Sequence, residues 1–538
     1  MNKKKPNILL LFTDQQRFDT INACGFSYVK TPNLDRLVKE GVVFTNAYTS
    51  NPVCIPARHN VLTGFYARQH GYADNSNMPF THLLPTIPRI LSDNWYETRA
   101  IGKMHFRPPR RHNGFDKMEL MEEIVSYRER DEYAMYLKNV GLGNIQNIHG
   151  VRNLLCLLPQ RSLIPEKHHG STWVGDRTVD FIKTNKGRHP FFLWAGWLAP
   201  HPPFDVPDTF ADLYNCVDIP KPYISKTPVS PLAHRNKFYA DLPDEKYLKR
   251  MRQVYYSAIS LVDKNIGKIL GTLEEIGELD NTLIIFTSDH GELLGDYGLS
   301  QKMLPYDGCT KIPFIIRYPK KFKPNTTRND FIDLTDILPT ILDITDIKYP
   351  GENKLPGESI LKEKGIKNRN YQYIENGNKS NRWISLRDNR YKYNYYYGGG
   401  YEELFDMEKD PHETINLLLT GNTNGIIGIK NKLKSKLMEY EKKYGLENYV
   451  YNNKFLKLKT LNITKQRNAQ FPIFQFKITD ENEKNRMNNF FDEVFKAVKK
   501  EKIVKLHQLD LEAWRKNCKK NGLHNVDEII NKITKEKL

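Results

Sequence analysis

The sequence predicts an α/β protein: a large, doubly wound, mainly parallel sheet, then a smaller antiparallel sheet and a helical tail. Three observations predict it. Up to residue ~340, near-continuous apolar runs alternate with helical patterns, as strands buried on both faces do between crossover helices. Residues ~370–410 switch to short, aromatic-rich alternating segments, which suit antiparallel strands. The stretch 450–538 is rich in Lys and Asn, with helical patterning around Phe490–Lys500.

In chain order the predicted buried strands are NILLLFT (7–13), VVFTNAYT (42–49), YETRAIG (96–102), FFLWAGW (191–197), TLIIFTS (282–288) and FIIRY (314–318). Helical patterns cover Pro32–Glu40, Arg58–Thr63, Ser171–Thr184 and Lys249–Glu275. YQYIE (371–375), RWISLR (382–387) and YKYNYYY (391–397) form the second sheet, with Gly398–Gly400 as a turn, and Ile426–Tyr444 closes it as a helix. The expected division is 1–365 as the large α/β domain, 366–449 as the antiparallel subdomain with its helix, and 450–538 as an appended, helical extension.

Composition narrows the function. The chain has 538 residues, 39% hydrophobic and 27% charged, which excludes wholesale disorder and fibrous repeats. Its six cysteines include no CxxC pair, which argues against a disulfide scaffold or a thiolate zinc site. The basic Met1–Lys5 and apolar Asn7–Phe12 imitate a signal peptide. The apolar run falls short of the roughly 7–15 residues of a true signal core, and no run approaches the roughly 18 of a membrane span. A cytoplasmic setting is expected. The net charge is +18, but residues 421–538 hold 26 Lys+Arg against 14 Asp+Glu, so +12 belongs to the tail. There the lysines are mixed with acids, as on a solvated helical face, and no nucleic-acid partner is expected.

Ligands of open α/β sheets sit beyond the carboxyl ends of the strands, so the residues just after the apolar runs are the ones to inspect. FTDQQ (12–16) offers Asp14 and Gln15, oxygen donors of the kind hard divalent cations take. FTSDHGE (286–292) offers Asp289 and His290 after another strand. In NPVCIPARHNVLTG (51–64), Cys54 lies just ahead of a predicted helix with Pro56 in its first turn. A helix N-terminus attracts anions and depresses a thiol pKa, so a reactive thiolate is one reading and a small buried hydrophobe another.

Cys54-Ile55-Pro56-Ala57-Arg58, followed by Leu62-Thr63-Gly64, resembles the signature of the type I sulfatases. TDQQR (13–17), GKMH (102–105), PHPPF (200–204), TSDHGELLGDYGL (287–299) with Lys302, and ELFDMEKDPHETINL (403–417) follow in that family's order. The similarity spans about residues 5–445, and GKMHF looks closer to arylsulfatase and choline-sulfatase members.

The resemblance implies an alkaline-phosphatase-like fold and a sulfuric ester hydrolase. It implies that Cys54 is oxidised to formylglycine (3-oxoalanine) by a formylglycine-generating enzyme, and that the aldehyde hydrate attacks sulfur. Asp14, Gln15, Cys54, Asp289 and His290 would hold one divalent ion, calcium before magnesium or manganese. Gln15 and His290 depart from the Asp and Asn of many sulfatases, which loosens the choice of metal. Arg58 would support the nucleophile, Lys103 and Lys302 would clamp sulfate, His105 would handle the hydrate's second proton, and His201, alone or with Lys302, would protonate the leaving oxygen. His70, Arg107 and His112 are candidates for pocket lining or plain surface residues. The expected substrate is a sulfated sugar or small molecule, with a phosphonate monoester or phosphodiester as the alternative. An inactive sulfate-binding scaffold and a nucleic-acid-binding tail are weaker readings. The oligomeric state is left open.

Overall fold

β1 (Asn7–Asp14) is buried at every position, and its alternate residues feed two different cores. Ile8, Leu10 and Phe12 pack with α2 (Cys54–Thr63) and α5 (Ile337–Thr345). Leu9 and Leu11 pack with α1 (Pro32–Glu40), α3 (Gly170–Thr184) and α4 (Glu245–Glu275). Successive strand side chains point to opposite faces, so an unbroken apolar run is what a strand between two helical layers requires.

The structure is a computed structural model. It describes residues 4–76, 84–152, 156–236, 245–361, 366, 369–421 and 425–460, with 492–494, 496–497, 499–501, 515, 527 and 531 beyond them. The large sheet also contains β2 (Val42–Tyr48), β3 (Glu97–Gly102), β4 (Lys117–Leu120), β6 (Phe191–Pro200), β8 (Thr282–Ser288), β9 (Phe314–Arg317) and β10 (Thr326–Asp333). Its order is β10-β2-β9-β8-β1-β6-β3-β4. Every ladder is parallel except those of β9, which runs antiparallel to both β2 and β8. A short ladder pairs β5 (Pro159–Arg161) with β7 (Phe204–Val206).

The six predicted strands of this sheet are present, and two more join them. β10 alternates between half-exposed and exposed residues over its first half, so it lacks an apolar run. β4 has only four residues. α2 starts at Cys54 rather than Arg58. Pro56 costs nothing in that first turn, because its N–H would have no helical partner there.

The second sheet is antiparallel, in the order β11 (Gln372–Asn376), β12 (Trp383–Arg387), β13 (Tyr391–Tyr396), β14 (Tyr401–Asp406). α6 (Ile426–Tyr444) covers it, inserting Leu433 and Leu437. Buried Arg382 ties sheet to helix, pairing with Glu375 at 2.7 Å and Glu441 at 2.8 Å. This sheet also braces the large one. The Trp383 indole donates to the Met303 carbonyl (2.8 Å), and the Glu375 N–H donates to the Ser50 carbonyl (2.9 Å). Residues 490, 491, 495 and 498 of the predicted Phe490–Lys500 helix lie outside the described residues. Those described between 492 and 500 are helical, and Val494 and Ala497 are buried.

Candidate active site

Parallel pairing of β1 with β8 sets Thr13 beside Ser288. The next residues, Asp14 and Asp289, therefore leave the sheet side by side, and the Gln15 N–H donates to Asp289 Oδ1 (3.0 Å). The first turn of α2 brings in Cys54. Donor atoms of Asp14, Cys54, Asp289 and His290 lie within 4.8 Å of one another, all four residues buried. Cys54 Sγ stands 3.4 Å from His290 Nε2 and 3.8 Å from Asp14 Oδ1.

Arg58, one turn along α2, spans the two carboxylates. Its Nη2 is 3.1 Å from Asp14 Oδ2 and 3.1 Å from Asp289 Oδ2, and its Nη1 donates to the Lys103 carbonyl (2.7 Å). That carbonyl is placed by a close contact between β3 and β6. Gly102 has φ +93° and sits opposite Gly196; a Cβ there would lie 2.0 Å from the Gly196 oxygen. Only glycine fits such an approach. It turns the chain so that Lys103 Nζ reaches Asp14 (2.7 Å) and Glu123 (2.6 Å).

Lys302 Nζ donates to Gln15 Oε1 (2.6 Å) and Cys54 Sγ (3.2 Å). Gln15 Nε2 donates to Glu292, so the amide oxygen is turned toward the cluster. Gln15, Gln301 and Met303 hold φ of 68°, 71° and 77°. Strain of this kind persists where the surroundings over-determine a segment, often at functional sites.

His105 and His201 meet on Glu123. His105 Nδ1 is 3.8 Å from Oε2, His201 Nε2 is 3.7 Å from Oε1, and Arg152 Nη1 donates to Oε1 (2.7 Å). Burial pushes the Glu123 carboxyl up, but the cations around it, Lys103 and Arg152 among them, hold it well below the usual range. Burial lowers His201 to about 3, opposed by Glu123 and helped by Lys302 and Lys103. At neutral pH it is therefore an uncharged imidazole, and its approach to Glu123 is not an ion pair. Burial and Asp14 raise the Cys54 thiol, yet Lys302, Lys103 and His290 outweigh them and leave it well below an ordinary thiol. Asp289 rises to about 6 through burial and the neighbouring Asp14. Asp14 itself is held low, Lys103 leading the groups that offset its burial.

The donor set fits a divalent cation. Two carboxylates, the Gln15 amide oxygen, an imidazole and residue 54 converge in a buried pocket. An oxygen-rich set of this kind suits a hard ion.

The structure thus brings Asp14, Gln15, Cys54, Arg58, Lys103, Asp289, His290 and Lys302 into one cluster, with His105 and His201 linked to it through Glu123. His70 is buried and meets the Tyr72 N–H (3.1 Å) and the Asn60 amide (3.2 Å); with His59, Thr63 and Arg111 it lines a cavity. Arg107 is half-exposed and His112 exposed, its Nδ1 3.0 Å from the Phe115 carbonyl. Glu123, Arg152 and Glu292 are absent from the sequence-predicted set. Glu123 lies three residues beyond β4, a strand end that the apolar-run criterion passed over, and Glu292 sits inside the quoted TSDHGE string.

The family model for sulfatases matches residues 6–347. A model of the N-sulphoglucosamine sulphohydrolase C-terminal region matches 295–443. An arylsulfatase of Clostridium perfringens is 31% identical over 84% of this chain and 98% of its own. An N-acetylglucosamine-6-O-sulfatase of Bacteroides thetaiotaomicron is 26% identical over 77% of this chain and 83% of its own. Among solved structures, the phosphonate monoester hydrolase of Agrobacterium radiobacter superposes with a TM-score of 0.70 at 22% identity, covering 82% of this chain and 96% of that one. This chain belongs to the sulfatase family, sulfuric ester hydrolases built on the alkaline-phosphatase-like fold. Among the described residues no helix is long and apolar enough to cross a membrane.

Proposed function

We propose that this enzyme cleaves a sulfate monoester on a sugar or small aryl compound, with Cys54 converted to formylglycine by a maturation enzyme. A calcium ion would be held by Asp14, Gln15, Asp289, His290 and residue 54. The observation that carries the reading is the buried quartet Asp14–Cys54–Asp289–His290 with Lys302 on Sγ. The Cys54 sulfur stands here for the oxygen of the matured side chain. When present, the ion and the aldehyde hydrate supply positive charge for sulfate oxygens and a nucleophilic oxygen at position 54.

The chain's own groups do the rest. Arg58 fixes both carboxylates at one angle, so neither swings when substrate arrives. Lys302, on the residue-54 side chain, and Lys103, on Asp14, would receive the sulfate oxygens, in a water-poor site where such contacts strengthen. Glu123, 3.7 Å away, favours the protonated form of His201, the form in which it would give a proton to the leaving oxygen. Among the described residues His105 Nδ1 has no hydrogen-bond partner, and His105 would take the proton of the second hydroxyl.

The arylsulfatase and N-acetylglucosamine-6-O-sulfatase relatives support aryl and amino-sugar sulfates as the substrates to try first. The test is hydrolysis of matched nitrophenyl sulfate and phenylphosphonate esters by protein coexpressed with a formylglycine-generating enzyme, with Cys54→Ala as blank. Preferential sulfate turnover supports the reading; preferential phosphonate turnover overturns it.

A further inference from the structure

The extension beyond residue 450 carries no motif, yet two of its carboxylates close on the catalytic region. Glu493 is buried and accepts three hydrogen bonds from one turn: the Gln146 N–H (2.8 Å), the Asn147 N–H (3.0 Å) and the Asn147 side-chain amide (2.8 Å). Two helical turns on, Glu501 meets Arg161 (3.1 Å) and Arg250 (2.8 Å). Val494 and Ala497, buried between them, complete one helical face at the spacing of a docked helix.

The two contacts bracket a single stretch of chain. Just past Gln146 and Asn147, His149 Nε2 lies 3.1 Å from the Glu122 carbonyl. Arg152 then reaches Glu123, the carboxylate shared with Lys103, His105 and His201. Cys156 follows, 2% exposed. At the far end Arg161, held by Glu501, closes β5, whose partner β7 begins three residues after His201.

We propose that Glu493 is a positioning residue for the substrate pocket: it pins the Gln146–Asn147 turn so that Arg152 is held on Glu123 beside the sulfate-clamping lysine and the leaving-group histidine. The extension is thereby part of the pocket wall. The site's chemistry as read here rests on the sulfatase assignment above; the mechanical coupling does not. A carboxylate suits the task because it satisfies three buried donors at once, and hydrogen bonds to a charged acceptor are the stronger kind.

The experiment compares the full-length matured enzyme with Glu493→Ala and Glu493→Gln. The first readout is the rate of iodoacetamide alkylation at Cys156, followed by peptide mass, with exposed Cys216 as internal reference. The second is KM and kcat on 4-nitrophenyl sulfate, with residue-54 aldehyde content measured to count competent enzyme. The expected result is alkylation of Cys156 faster by about tenfold or more in Glu493→Ala, with Glu493→Gln between. KM should rise about tenfold with kcat per competent site within about twofold. Unchanged Cys156 protection overturns the positioning role. Faster alkylation with KM unchanged overturns the role in the pocket wall. Should wild type hydrolyse only phenylphosphonate, the sulfatase reading fails and the same KM comparison is made on that ester. Should it hydrolyse neither, the Cys156 rates still decide the positioning role.

Discussion

Lys302 Nζ lies 3.2 Å from Cys54 Sγ, across 248 residues of sequence, and the same ammonium holds the amide oxygen of Gln15 at 2.6 Å. One cation therefore touches both the candidate nucleophile and a candidate metal ligand. On the proposed chemistry, Lys302→Met should cut kcat by about 10²–10³, while Cys54→Ala leaves no turnover and a folded protein. Steady-state kinetics normalised to residue-54 aldehyde check this; near-normal kcat in Lys302→Met removes the lysine from the transition state.

Glu292 fixes which end of the Gln15 amide faces the cluster. One oxygen takes the Leu294 (3.0 Å) and Gln301 N–H groups, the other the Gln15 amide. Glu292→Gln would oppose two NH₂ groups, so Gln15 would turn its oxygen away. Calcium affinity should fall about 10–100-fold, with activity recovered at excess metal. Calorimetric titration reads it, and an unaltered affinity rules out Gln15 as a ligand.

Lys311 supplies a pH signature remote from that chemistry. Its ammonium lies 4.7 Å from the Phe18 ring centroid. Burial lowers its pKa to about 8; Asp307 and Asp19 oppose this, while Arg387 and Lys392 add to it. Between pH 8 and 10.5 the unfolded chain keeps this proton and the folded one has lost it, so stability rises with pH through that window. The stability of wild type relative to Lys311→Met should climb by about 3 kcal/mol between pH 7 and 10.5. Denaturant titrations of the pair at the two pH values measure it, and a flat difference refutes it.

Arg382 is the charge that Glu375 and Glu441 share inside the second sheet. Replacing it by Met leaves two buried carboxylates facing each other, a loss of about 3–5 kcal/mol. Thermal unfolding should show a clear drop, and Glu441→Gln in that background should recover part of it, because the repulsion then has one charge fewer. No recovery in the double variant would falsify this electrostatic account.

The buried cluster's carboxylates were legible because strand ends announce them. Asp14 and Asp289 each follow an unbroken apolar run, and Cys54 sits in a string too specific to pass for packing. Glu123 and Arg152 were not legible, because neither follows a long apolar run and their meaning lies in the groups they touch across the fold. The reversed direction of β9 was hidden for a related reason: an apolar run records burial on both faces and carries no sign of which way the strand points. β10 escaped because a half-exposed edge alternates, and α2 extended back to Cys54 because proline in a first turn is no barrier.

The strand order carries a consequence for the timing of synthesis. β2, which leads into Cys54, touches only β9 and β10 in the large sheet, and both are translated after residue 313. β1, β3, β4 and β6 can assemble on the ribosome as soon as they emerge, but the segment bearing Cys54 has no strand to join. Roughly 260 further residues must be made first, on the order of 10–50 s at ordinary translation rates. A side chain 1% exposed in the finished protein is thus left outside the growing sheet for about half of the time the ribosome spends on this chain.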